Sequence, residues 1–104
     1  MKNDDPFAAL TEIDRLVHEP ARLLILAHLS LLESADFLFL LRQTGLTRGN
    51  LSSHVRKLED AGYVDVEKSF VDRLPLTVYR LTETGRAAVQ VYRLHMNEVL
   101  AALT

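Results

Sequence analysis

From Phe37 to Leu58 the chain has no aspartate or glutamate, yet Arg42, Arg48, Arg56 and Lys57 all fall in that interval. Thr47, Gly49, Asn50, Ser52, Ser53 and His54 stand among the cations. These residue types suit contact with a nucleic acid. Arginine can grip guanine bidentately, asparagine and serine can donate and accept at base edges, and lysine neutralises phosphate. Omitting carboxylates removes repulsion from a phosphodiester backbone. The chain as a whole is mildly acidic, with a net charge of −2. Because the interval Arg42 to Lys57 contributes four positive charges, the remainder carries −6. Segregated charge can focus a potential on one face, so distribution matters more here than the total. The competing explanation is a solvated surface helix whose lack of acids is chance.

Other chemistries find less support. There are no cysteines, which excludes disulfides, thiolate metal sites and cysteine nucleophiles. His18, His28 and His95 lack a ligand-like spacing, so no metal site or cofactor is expected. Serine, histidine and aspartate occur together in "SSHVRKLED", but on one helix they cannot converge as nucleophile, base and orienter. No glycine-rich phosphate loop is present, and the chain is not expected to be an enzyme. Phe37, Phe39 and Leu41 fit a core better than a ligand pocket, since no polar group converges with them. The opening "KNDDP" is unlike a signal peptide, and "LLILAHLSLL" and "FLFLL" are too short to span a bilayer. A soluble, cytoplasmic protein is the expectation.

The elements that must position the cationic segment follow from periodicity and caps. A chain of 104 residues is expected to form one domain. Phe7, Leu10, Ile13 and Val17 recur at helical spacing, predicting an N-terminal helix over 6–17. Pro20 opens a second helix to about Leu32, with Leu26, Leu29, Ile25 and Leu32 inward. Ser34 is expected to cap a third helix, with Asp36 in its first turn and Gly45 at its end. Thr47 caps a fourth, over about 48–61, with Gly62 as the left-handed residue beyond it. In that helix Leu51, Val55 and Leu58 form one narrow inward stripe, and Gly49, Ser53 and Arg56 lie opposite. "YVDVEKSF" and "LTVYRL" then alternate as strands, with "VDRLP" as the turn region closed by Pro75. Thr82 caps a last helix ending near Leu103. The predicted class is mainly α with a small β-hairpin (α+β). The layout is a winged helix-turn-helix: core 20–81, wing about 64–81, and a C-terminal helix over 82–103.

The motifs also carry a resemblance. Ser-x-His-Val-x-x-Leu-x-x-Ala-Gly-Tyr-Val at Ser52–Val64, with Leu-Thr-x-x-Gly-Arg at Leu81–Arg86, resembles winged helix-turn-helix regulators of the ArsR and MarR type. "HEPARLLIL", "DFLFL" and "TGLTRGNLSSH" resemble a group of single-domain members, so the likeness spans nearly the whole chain. It implies a homodimeric, sequence-specific DNA-binding protein that regulates transcription. It also implies that the helix bearing Arg48, Asn50, Ser52, Ser53, His54 and Arg56 enters the major groove, while the wing tip meets minor-groove backbone. Two departures stand out. "DFLFLLRQ" occupies the place of the Cys-x-Cys pair of metal-sensing members, and the wing tip "VDRLPL" holds only Arg73, offset by Asp72. A weak wing contact is therefore expected.

Val89, Tyr92, Met96, Val99 and Leu103 recur at three, four, three and four, a heptad stripe on the last helix. With Phe7, Leu10 and Ile13 they are the expected dimer interface, unless the N-terminal helix covers the stripe within one chain. Twofold symmetry then implies double-stranded DNA with a near-palindromic operator as partner. No appended sensing domain is apparent, and any effector is unknown. A winged-helix module that binds another protein without DNA is the alternative, favoured by the net acidity.

Overall fold

The computed structural model describes residues 5–104. After a short 3-10 helix at Ala8–Glu12 come α1 (Pro20–Ser30), β1 (Ala35–Asp36), α2 (Phe37–Thr44) and α3 (Arg48–Asp60). β2 (Val64–Val71), β3 (Leu74–Leu81) and α4 (Glu83–Ala102) complete the order. The three strands form an antiparallel sheet in the order β1-β3-β2.

Local chemistry sets most boundaries. Thr47 caps α3 by accepting from the Asn50 N–H at 3.1 Å, and Gly62 follows the helix at φ 78°. Gly45, at φ 69°, ends α2. Thr82 caps α4 by accepting from the Gly85 N–H, while its own hydroxyl donates to the Gly62 carbonyl at 2.6 Å. Gly85 has a second constraint. A Cβ there would run into the Tyr63 carbonyl and Leu81, so only glycine lets α4 start against the end of α3. That contact explains the Leu-Thr-x-x-Gly-Arg pattern.

The core lies between α1, α2, α3 and the sheet. Ile25, Leu26, Leu29, Leu40, Leu51, Leu58, Val17 and Val64 are fully buried within it. No buried polar or charged residue is found among the described residues. None of their helices is long and apolar enough to cross a membrane, and no group of three or more metal-ligating side chains comes together among them.

The fold departs from the sequence reading in four places. The helix expected over 6–17 is only the 3-10 turn at Ala8–Glu12, followed by extended Ile13. Asp14 is the cause. Its Oδ1 accepts from the N–H groups of Leu16 and Val17, and its Oδ2 accepts from the Tyr63 hydroxyl. A local turn and a tertiary bond override the periodicity. Secondly, Asp36 rather than Ser34 caps α2, accepting from the Phe39 N–H at 2.8 Å. Ala35 and Asp36 are thereby free to pair with Tyr79 and Val78 as a third strand. Thirdly, the hairpin turn shrinks to Asp72 and Arg73, and Pro75 pairs with Phe70 inside the ladder. β1 reaches only Val78 and Tyr79, so β3 has an open edge at Pro75 where a missing N–H is tolerated. Finally, α1 stops at Ser30 and Leu32 is only half-buried.

Candidate nucleic-acid interface

α3 presents two chemically distinct faces. Leu51, Val55 and Leu58 are buried, as their spacing requires, and fasten the helix to the core. Arg48, Gly49, Asn50, Ser52, Ser53, Arg56 and Lys57 are all exposed. Acids return only at Glu59 and Asp60, where the helix ends. The small residues occupy the first two turns and the cations Arg56 and Lys57 the next. That gradient permits close backbone approach at the N-terminal end.

His54 differs from its neighbours. Its ring is half-buried, and its Nδ1 lies 3.1 Å from Arg22 Nη1. A guanidinium can only donate, so in the neutral ring Nδ1 accepts and Nε2 carries the proton. Glu19 Oε2 is 3.8 Å from the same nitrogen, too far for a hydrogen bond. Arg22 also donates through Nε to the Leu16 carbonyl at 2.6 Å. Glu19 accepts from the Ala21 and Arg22 N–H groups, capping α1 ahead of Pro20. Burial pushes the Glu19 carboxyl upward, but the Arg22 and Ala21 amides and the Arg22 charge outweigh it, leaving the group below its ordinary value. The cluster ties α3 to α1.

Arg48 sits over the Phe37 ring, 5.7 Å from its centroid. Arg48 and Arg42 share a cleft of about 450 Å³ with Asp36, Phe37, Leu38 and the β3 residues Pro75 to Thr77. Neither arginine has a carboxylate partner among the salt bridges of the described residues. Thr47 spends its oxygen on the cap, so it positions the helix start.

The wing stands beside α3. A second cleft of about 450 Å³ runs between them, lined by Ser52, Ser53, Arg56 and Glu59 on one side and Val66, Lys68 and Tyr79 on the other. Lys68 lies outside the acid-free interval of the sequence. Strand alternation could have found it, because it shares a sheet face with Val64 and Val66. Burial first, then the charge of Glu59, raises the Tyr79 hydroxyl above its usual range, keeping it a neutral wall of this cleft. Arg73 lies apart from these groups, at the wing tip with φ 66°.

The stripe predicted for dimerisation lies mostly inside the chain. Tyr92 and Val99 are buried, Val89 and Met96 are half-buried against the core, and the 3-10 helix packs on α4. His18 Nδ1 and the Tyr92 hydroxyl are hydrogen-bonded at 2.8 Å. Ile13 is also half-buried, whereas Phe7, Leu10 and Leu103 are exposed. The outward apolar positions of α4 are instead Val91, Leu94 and Leu100. The 3.6-residue period puts Val91 and Leu94 with Ala87 on the side away from Tyr92.

Two helices joined by a tight turn, with an antiparallel hairpin beside the second, define a winged helix-turn-helix protein. Comparison with known proteins gives the family. Residues 21–100 match the winged helix DNA-binding domain family, and the chain belongs to it. An uncharacterized protein of Methanocaldococcus jannaschii is 36% identical over 78 residues, covering 75% of this chain and 85% of that one. A transcriptional regulator homologue of Pyrococcus horikoshii superposes with a TM-score of 0.84 at 33% identity, covering 89% of this chain and 94% of its own. A candidate MarR-family regulator of Enterococcus faecalis gives 0.72 at 23% identity, covering 97% and 92% of the two chains. Further MarR and ArsR family structures, at 20–24% identity, share the fold.

Proposed function

We propose that the chain is a homodimeric, sequence-specific regulator of transcription, with α3 in the major groove and the wing on flanking backbone and minor groove. The outer face of α3 from Arg48 to Lys57, which carries no acid, is capped at Thr47 and flanked by the wing, and it carries this reading. Arg48, Gly49 and the free N–H groups at the helix start receive a phosphate. Asn50, Ser52, Ser53 and Arg56 read base edges, and Lys57, the Nε2–H of His54 and Arg73 contact backbone. Regulation of transcription is what the P. horikoshii protein's description names for that relative.

Dimerisation is the second half of the proposal. Phe7, Leu10, Leu103, Val91, Leu94 and Leu100 supply exposed apolar surface at both ends of the chain. The buried members of the heptad stripe, Tyr92 and Val99, support that surface from beneath. Selecting random-sequence duplexes on the purified protein tests the whole reading. A pair of related half-sites roughly 10 base pairs apart, centre to centre, is the expected result. Recovery of no common motif would sink it.

A further inference from the structure

The wing tip is apolar on both faces. β2 and β3 stay paired to the end, through Phe70 with Pro75 and Val71 with Leu74. Phe70 is 75% exposed, Leu74 69% and Val71 54%. By strand alternation Phe70 and Pro75 share the sheet face of Lys68, Val66 and Tyr79, the face that closes the cleft on α3. Val71 and Leu74 lie on the opposite face. The turn between them is built without glycine, although both of its residues are left-handed, Asp72 at φ 51° and Arg73 at φ 66°. Asn-Gly would relieve that strain. The chain keeps a guanidinium there instead, next to side chains that water solvates poorly.

We propose that the tip is an apolar wedge for the minor groove: Phe70 and Leu74 enter beside the α3 contact, unstack a base step and bend the duplex. Arg73 and Lys68 take the flanking phosphates. The proposal rests on the DNA-binding reading above and assigns the wing a task beyond backbone contact. Three observations favour DNA as the occupant. The Phe70 face runs without a break into the cleft beside Ser52, Ser53 and Arg56. Asp72 cancels part of the local positive charge, so a purely ionic contact would be weak. A hairpin with side chains on both faces has a thickness comparable to the roughly 10 Å spacing of packed sheets, too wide for a minor groove of roughly 6 Å. Only the tip side chains can enter, and there they meet sugars and base edges. Apolar wedges of this kind kink DNA by roughly 20–90°. A second copy of the chain is a poorer fit, because a hairpin tip cannot bury the roughly 1,200 Å² or more of a stable interface.

The test uses the full chain and a duplex recovered by selection from random-sequence DNA. Bending is read from circularly permuted fragments, and unstacking from 2-aminopurine placed at successive steps flanking each half-site. The wild-type protein is expected to bend the duplex and brighten one flanking step. Replacing both groups (Phe70→Ser with Leu74→Ser) should abolish both signals and weaken binding roughly tenfold, with the preferred sequence unchanged. Both side chains are exposed, and an unchanged far-UV spectrum checks that the variant folds. An unbent wild-type complex, or a variant that still bends and brightens the duplex, overturns the wedge alone. A variant whose sedimentation mass changes without DNA would give the tip to a second copy. If no duplex binds the wild-type protein, the DNA-binding reading falls with it.

Discussion

Arg56 is the outward side chain on which the two kinds of DNA contact separate most clearly. If it reads a base, Arg56→Ala costs about 1–3 kcal/mol of binding and relaxes preference at one position. Loss of a phosphate contact would weaken all sequences together and lower the salt slope by about 0.9. We expect the first pattern, measured by titrating selected and scrambled duplexes, because Arg56 lines the cleft beside Ser52 and Ser53. His54 belongs to a different class, since its Nδ1 is held by Arg22, 32 residues away. No sequence signal marks that tether, because neither spacing nor periodicity encodes which side chains meet across two helices. Tyr63 is equally hidden. Its hydrogen bond to Asp14, with burial and the Asp14 charge adding to it, pushes the phenol up to about 12. A raised pKa contributes stability that is complete below the ordinary value of 10 and is lost as pH rises from there toward 12. Tyr63→Phe should therefore flatten the alkaline fall in urea midpoint. Glu19 acts in the opposite direction. Its lowered carboxyl gives stability present at neutral pH and lost as the solution is acidified through its folded pKa, below 4.5.

At the scale of elements, the parts legible in the sequence are those set by neighbours in the chain. Thr47, Thr82, Gly45 and Gly62 mark the boundaries of α2, α3 and α4 because caps and left-handed residues act within a few positions. The burial of Leu51, Val55 and Leu58 follows from one helical period for the same reason. β1 is not legible, since a two-residue strand has no period and exists only where β3 passes beside it. Nor is the extended stretch after Glu12, where Asp14 serves Tyr63 as well as its own turn. The motif glycine Gly85 joins the two levels. Alanine would ordinarily favour a helix by about 1 kcal/mol over glycine. Here its Cβ collides with the Tyr63 backbone, so Gly85→Ala should instead destabilise the protein by about 1–3 kcal/mol in urea unfolding.

Over the whole molecule, shape and charge point the same way. The radius of gyration is 15.9 Å, against about 13 Å for a compact chain of this length. The excess reflects principal extents of 59 × 24 × 21 Å, with apolar side chains exposed on α4. If the chain forms the proposed dimer through this face, Val91→Asp with Leu94→Asp converts it to monomer in sedimentation while far-UV dichroism stays the same. A dimer that survives this pair would move the interface off the outer face of α4. The heptad stripe is legible in sequence, but which part of α4 remains outward depends on the 3-10 helix packing against it, a tertiary fact. Net acidity completes the picture. With −6 distributed outside the segment from Arg42 to Lys57, nonspecific attraction to DNA is limited, so the proposed binding depends on how α3 is presented. The most direct test is therefore a salt titration of wild-type protein on a duplex selected from random sequence, with a scrambled duplex alongside. The account predicts preferential binding to the selected duplex, falling roughly a thousandfold or more between about 50 and 200 mM salt. Equal affinity for both duplexes, or binding that salt does not change, would contradict it.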